Sequence, residues 1–348
     1  MSDIIVAPES RDLIELAGIL GHWLGDRMPA ASKLALKNFA YPRGAGQSHE
    51  TILFDAHWID DGAARVQGMV VRIKPNRFTV YVDDLFIEQY EVMRTLYETA
   101  TVPIAKPLWI EHDPAVLGAP FFVMEKKTGR VPVSVPPYAQ SGWVAEATPA
   151  QRRKMWESGV RNLAAIQSAP LDRLEFLAGT ADAPSGLDQE FDKYARIAAW
   201  VQQDRPCPVL DLALDRLRSL WPNNRPEGLV WGDARIGNMM FDDNFEVIAV
   251  MDWEQPSLGG ALNDLAWWIV NAELMHGARE DRPHLAGMGT RSETIALWEQ
   301  LTGLSAADIE WYEDFTRLKF SCLGARMAFL RGAAPPDEKE LAKRLGVD

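Results

Sequence analysis

Between Leu229 and Leu265 the chain reads LVWGDARIGNMMFDDNFEVIAVMDWEQPSLGGALNDL, and no other stretch limits the possible folds as strongly. Three short apolar runs alternate with polar residues. Gly228–Trp231 leads into a glycine-containing turn with Asp233. Asn238 opens the run Met239–Phe241, and Val247–Met251 ends at Asp252. The cluster Asp242-Asp243-Asn244 predicts a hairpin turn between the second and third runs. A hairpin sets the start of one strand beside the end of the other. Asn238 and Asp252 then become neighbours, with the Asp233 loop next to them. Two oxygen ligands and a further carboxylate at a strand end suit a hard cation carrying phosphate oxygens. Any one of the three alone reads as an ordinary turn former. The case for chemistry rests on the set, and on what precedes it.

Upstream, Gly44 and Gly46 flank a tight turn before a strand expected over Glu50–Phe54. Such a loop can set backbone N–H groups against phosphates, although alone it is an ordinary hairpin turn. Gly68–Lys74 predicts a strand ending at Pro75, with Arg72 and Lys74 on one face. Asp83–Thr99 has helical spacing, with Glu88 and Glu91 three apart. Two further extended stretches follow, over Val102–Ile110 and Gly118–Lys127. That order describes a small α+β lobe over residues 1–126, preceded by a helix over residues 10–25 with Ser10 as its N-cap.

Residues 127–348 predict a mostly helical lobe. Val131–Tyr138 is rich in proline and reads as a linker or ordered loop. Thr148-Pro-Ala-Gln151 is a capping box that starts a helix reaching Ser168. Further helices are expected over Gly186–Gln203, Pro208–Trp221, Asn263–Met275 and Arg291–Gly303. A last one is expected over Ser305–Gly332, from a Ser305-x-x-Asp308 cap. The tail after Ala333 is charged and reads as peripheral. Trp253, Trp267 and Trp268 read as core.

Composition narrows the partners. A net charge of −13 among 348 residues argues against nucleic acid, which needs clustered Lys and Arg. Cys207 and Cys322 cannot build a disulfide framework and read as buried small hydrophobes. The first ten residues lack a secretory pattern, and no apolar run approaches the roughly 20 residues that span a bilayer. The expectation is a cytoplasmic protein with no membrane partner.

The motifs resemble the aminoglycoside phosphotransferase-like (phosphotransferase enzyme) family, whose members show H-G-D-x-x-x-x-N, then I-D-W-E, then G-D-P-x-x-D-L-A. Here these stand as Trp231-Gly-Asp233-Ala-Arg-Ile-Gly-Asn238, Met251-Asp-Trp-Glu254, and Gly259-Gly-Ala-Leu-Asn-Asp264-Leu-Ala266. Gly44-Ala-Gly-Gln-Ser48 and Leu117-Gly-Ala-Pro-Phe-Phe-Val-Met-Glu125 look like the subgroup related to the kinase-like domain fused to some acyl-CoA dehydrogenases. The resemblance implies a protein-kinase-like two-lobe fold, with a small β-rich N-lobe and a larger, mostly helical C-lobe. It implies ATP (or GTP) and Mg²⁺ as cofactors, and a small-molecule hydroxyl as phosphoryl acceptor. Asp233 is then the catalytic carboxylate, and Asn238 and Asp252 are the magnesium ligands. Gly44, Gly46 and Ser48 grip phosphate. Arg72, or its rival Lys74, contacts the nucleotide phosphates. Glu88 pairs with that cation, with Gln89 and Glu91 as alternatives. Backbone groups around Met124, Glu125 and Lys126 bind adenine. Arg235 lies where it meets phosphate or an acidic substrate. The subgroup favours a hydroxyacyl or other metabolite over an antibiotic.

Two departures stand out. Trp231 replaces the usual His, which costs that residue's ring nitrogens as hydrogen-bond partners. Gly260-Ala261 replaces Asp-Pro, which is expected to loosen the turn. They motivate a second reading, a nucleotide-binding pseudokinase that senses or scaffolds.

Overall fold

The computed structural model describes residues 11–42, 50–75, 80–277 and 284–348. The chain divides into two compact units, Met1–Thr79 with Ala105–Thr128, and Val80–Ile104 with Gly129–Asp348. The segment carrying the first acidic helix thus belongs with the helical remainder.

The first unit holds helix α1 (Leu13–Arg27) and strands β1 (Ser32–Ala40), β2 (Glu50–Asp60) and β3 (Ala63–Ile73). The second unit's α2 (Phe86–Glu98) comes next in the chain, before β4 (Pro107–Glu111) and β5 (Phe121–Glu125) complete the first. The five strands form one antiparallel sheet in the order β1-β2-β3-β5-β4. The hairpin β2–β3 closes on Asp61-Gly62, with φ of 46° and 76°. Both residues in the left-handed region match the right-handed twist of the strands they join. Along β2, Ile52, Phe54 and Ala56 alternate inward. They meet Met69, Val71, Ile73, Phe121 and Val123, and α1 contributes Leu16, Leu20, Trp23 and Leu24 to this core. Helix α1 is capped by Asp12, whose side chain accepts from the Ile14 and Glu15 amides. The expected cap, Ser10, lies outside the described residues. Strand β1 has no apolar alternation strong enough to announce it, because it is an exposed edge.

The second unit is mostly helical. Besides α2 it holds α3 (Trp143–Glu146), α4 (Pro149–Ala165), α5 (Leu187–Asp204), α6 (Pro208–Ser219), the hairpin β6 (Met239–Phe241) and β7 (Val247–Val250), α7 (Leu262–His276), α8 (Arg291–Thr302), α9 (Ile309–Leu330) and α10 (Glu338–Leu345). The Thr148 capping box forms as read, with Thr290 and Glu293 making a second one on α8. Every residue of α7 from Leu262 to Asn271 is buried, so this is the central helix.

Two expectations are corrected. Helix α9 begins at Ile309, not at Ser305. Asp308 is left-handed there and makes no cap bond, because its carboxylate accepts the Asn223 and Asn224 amides. The tail carries α10, which packs on α6 and α9 through buried Leu341 and Leu345. Cys207 and Cys322 are buried and unpaired, as read. Among the described residues, no helix is long and apolar enough to cross a membrane.

Candidate active site

The second unit builds its site around the loop Val230–Asn238. Val230 and Ser257 bridge through their backbones, which brings the segment after Asp252 alongside. Gly232 sits at φ +99°, and a Cβ there would lie 2.5 Å from the Gln255 carbonyl oxygen. Glycine is therefore required on both conformational and steric grounds. Asp264, in the first turn of α7, accepts from the amides of Trp231 (2.6 Å) and Gly232 (3.1 Å). The fully buried Trp231 packs on Trp253 and donates its indole N–H to the Met251 carbonyl at 2.8 Å. Trp231 therefore braces the loop and keeps a ring donor in use. The expected loss of hydrogen bonding is corrected to that extent.

The loop presents Asp233, whose carboxylate accepts three hydrogen bonds. Trp267 donates its indole N–H to Oδ1 at 2.9 Å. Asn238 donates Nδ2 to Oδ2 at 2.7 Å, and Arg235 donates Nε to the same oxygen at 2.9 Å. The side chain is thus fixed in one orientation. The sequence expectation for Trp267 is a core residue. It is buried, but its role at the site follows from its position three residues after Asp264, on the same helix face.

Asn238 begins the hairpin. Its carbonyl accepts from the Met251 amide at 2.9 Å, and Met239 pairs with Val250. Asp252 follows directly, at the strand end beside Asn238, as the hairpin reading requires. The turn is closed by Asp242, whose side chain accepts the Asn244 and Glu246 amides. Asp252 has φ +65°, a left-handed backbone uncommon for a residue with a side chain. Such strain persists only where the surroundings impose it.

Negative charge gathers here. The Tyr81 phenol is pushed well above its ordinary value, by burial first and then by Glu254, Asp233 and Asp252. Tyr81 therefore stands within electrostatic reach of the site, which no sequence signal indicated. Burial opposes the Arg235 charge, but Asp233 and Asp252 hold its proton more tightly than usual.

Beneath the loop lies a buried charge network. Glu190 of α5 is 1% exposed; it pairs with Lys193 at 2.7 Å and Lys319 at 3.0 Å, and accepts from Ser257 at 2.7 Å. Lys319 also donates to Asn263, whose amide donates to the Gly259 carbonyl. A Cβ on Gly259 would lie 2.8 Å from that of Glu190. Gly260 sits at φ +103° and donates its amide to the Gly228 carbonyl, and the Ala261 amide bonds to Pro226. The turn expected to be loose is thus tied by its backbone. A proline at 261 would remove one of those donors.

Burial pushes the Asp264 carboxyl up to about 7, against the pull of the Trp231 and Gly232 amides. A group raised in the folded state contributes stability below its unfolded value, about 3.9, and loses it as pH rises through the folded one. Relative to Asp264→Asn, wild-type stability should fall by up to about 1.4 kcal/mol per pH unit between pH 4.5 and 7. Urea unfolding of both proteins across that range measures it; parallel curves would show that Asp264 does not titrate there.

The other sequence candidates are distributed as follows. Arg72 is buried in the central strand β3, between Thr51 and Phe122 in the ladder. Lys74 lies just past that strand. Glu88 stands in the first turn of α2, in the other unit; Gln89 is fully buried and Glu91 pairs with Arg94. Met124 and Glu125 end β5 in the first unit. The Glu125 amide donates to Lys106 and the Lys126 amide to Gly68, while the Lys126 ammonium pairs with Asp55 at 2.7 Å. Gly44, Gly46 and Ser48 lie outside the described residues.

A model of the phosphotransferase enzyme family matches residues 45–304. A probable acyl-CoA dehydrogenase of Arabidopsis thaliana, IBR3, is 28% identical over 87% of this chain and 38% of its own length. Human acyl-CoA dehydrogenase family member 11 is 27% identical over 70% of this chain and 31% of its own length. The chain thus spans well under half of these relatives. Among solved structures, a Ralstonia eutropha protein described as an aminoglycoside phosphotransferase superposes with a TM-score of 0.65 at 21% identity, covering 94% of both chains. Plasmodium vivax ethanolamine kinase gives 0.59 at 12% identity, covering 96% of this chain and 87% of its own. The fold is kinase-like, with a β-rich and a mostly helical unit, and the chain belongs to the phosphotransferase enzyme family.

Proposed function

We propose that the chain moves the γ-phosphoryl group of ATP, with Mg²⁺, to a hydroxyl of a small molecule. The observation that carries this reading is the Asp233 carboxylate, held by three donors beside Asn238 and Asp252 at the hairpin end. Asp233 orients the acceptor hydroxyl and takes its proton as the new O–P bond forms. Asn238 spends its amide nitrogen on Asp233, which leaves its oxygen as a donor to a metal ion. With the Asp252 carboxylate this is an all-oxygen set that fits Mg²⁺. Among the described residues no three His, Cys, Asp or Glu side chains gather into a metal cluster. When bound there, Mg²⁺ would neutralise charge on the phosphates.

The nucleotide phosphates are assigned to Gly44, Gly46, Ser48 and Arg72, and Glu88 stays a candidate by its place in the sequence. Backbone groups around Met124, Glu125 and Lys126 are assigned to adenine, the Glu125 and Lys126 amides themselves being engaged in the sheet. The relatives named as acyl-CoA dehydrogenases support a hydroxyacyl metabolite as acceptor. Exposed Val133 and Val135, on either side of Ser134, suit such a chain. A binding-only role loses its motive, since Trp231 and Gly260 are built into the loop's hydrogen bonds.

Thermal shift with ATP, with and without Mg²⁺, followed by ADP release across hydroxylated metabolites including hydroxyacyl thioesters, tests the reading. Magnesium-dependent ATP binding with turnover of one acceptor class is expected. Binding without turnover of any acceptor would overturn it in favour of the sensing role.

A further inference from the structure

The Pro-rich segment 131–138 is a loop, one of the two forms its sequence allows, and it reaches the site. Ser134 Oγ accepts from Arg235 Nη1 at 2.7 Å, and Arg235 Nε in turn bonds Asp233 Oδ2 at 2.9 Å. The segment is anchored on both sides of Ser134. Arg130 and Phe241 exchange backbone hydrogen bonds, and the buried Tyr138 hydroxyl bonds His276 at 2.6 Å. Trp143 adds a bond from its indole to the Val131 carbonyl. Ser134 is therefore a fixed point against which a long side chain can be held.

Gly237 shows that the chain's sequence makes room for this arrangement. A Cβ at that position would lie 2.7 Å from Arg235 Nη1 and 3.0 Å from Ser134 Oγ. The backbone there is an ordinary 3₁₀ turn, so its conformation does not demand glycine. A side chain there would have to displace the Arg235 guanidinium, so glycine leaves room for the Ser134–Arg235 contact.

We propose that Ser134, Arg235 and Gly237 form a positioning device that holds the Asp233 carboxylate in its working rotamer. Arg235 without Ser134 has a flexible stem and loses its fixed approach to Oδ2. Asp233 then keeps Asn238 and Trp267 but loses the third of the bonds that fix its orientation. Hydroxyls in productive contact become fewer, and turnover falls while substrate binding stays. The proposal rests on the phosphotransferase reading for its kinetic consequence only; the coupling itself is a property of the fold.

The test has two arms. In the first, the Arg235 Nε–H resonance, identified by its absence in Arg235→Lys, is followed by ¹H–¹⁵N NMR of the full chain. Ser134→Ala and Gly237→Ala should each shift and broaden it, and Ser134→Thr should restore it. An unmoved resonance in both alanine variants would overturn the proposal whether or not an acceptor is known. In the second, kcat should fall about 5- to 20-fold in each alanine variant, with KM for ATP within about twofold of wild type. The double variant should be no slower than the worse single one, because both break the same link. Multiplicative losses, or a Ser134→Thr variant as slow as Ser134→Ala, would sink the device. A wild-type chain that transfers no phosphate defeats the functional reading and leaves the first arm to decide.

Discussion

Asp233→Asn should lower kcat by about 10³- to 10⁴-fold while Mg-ATP binds with nearly unchanged affinity. The carboxylate offers acceptors on both oxygens, and all three of its neighbours are donors. A carboxamide has one acceptor oxygen and one donor group. If its oxygen keeps Arg235 and Asn238, its nitrogen faces the Trp267 indole N–H, and two donors confront each other. The variant thus loses a base and also loses its orientation. Asp252→Ala should behave differently. Transfer disappears there as well, but Mg-ATP affinity falls with it, because the missing group is a proposed metal ligand. Isothermal titration with Mg-ATP and single-turnover assays on both variants separate the roles. Full activity in Asp252→Ala would defeat the metal assignment, and equal loss of ATP affinity in both would defeat the division of labour.

The second strong effect is expected on stability. Glu190 lies between Lys193 and Lys319, all three nearly inaccessible to solvent. Burial opposes its charge, and the two ammonium groups more than offset that, holding the carboxyl at about 2. Burial pushes the Lys319 ammonium down to about 8 despite Glu190. Glu190→Ala leaves two buried cations without their counter-charge and should cost about 3–5 kcal/mol. Because the group is buried, added salt should restore little of the loss. Glu190's own contribution is present above its unfolded value, about 4.3, and is lost as pH falls toward 2. Urea unfolding at neutral pH measures the cost. A change below about 1 kcal/mol would mean that water reaches the network and screens it.

The site was partly legible because the proposed chemistry needs certain residue types at certain spacings. Asp233, Asn238 and Asp252 could be placed from a hairpin argument, and the ladder pairing Met239 with Val250 sets them as that argument requires. Thr148 and Gln151 announced a helix start because a capping box is a local device. What stayed hidden was nonlocal or disguised. Ser134 is 101 residues from Arg235, and nothing near it in the chain marks a contact with the Asp233 loop. Trp267 looks like core because an indole is mostly apolar surface, and its single N–H carries the contact with Asp233. Strand β1 alternates too weakly at an exposed edge, and α10 hides in a charged tail because only Leu341 and Leu345 turn inward. Gly260 was misjudged for another reason. A missing side-chain acceptor suggested slack, whereas the backbone amides of Gly260 and Ala261 tie the turn themselves.

The left-handed backbone at Asp252 bears on how relatives of this chain can diverge. Glycine, asparagine and aspartate occupy that conformation most readily, and aspartate alone of the three carries a charge. A lineage that abandons phosphoryl transfer is released from the charge but not from the backbone. Its replacements at this position should therefore be asparagine or glycine, while alanine, valine or leucine should be rare. Such a substitution pattern separates relatives that kept the fold and gave up the chemistry from those that kept both.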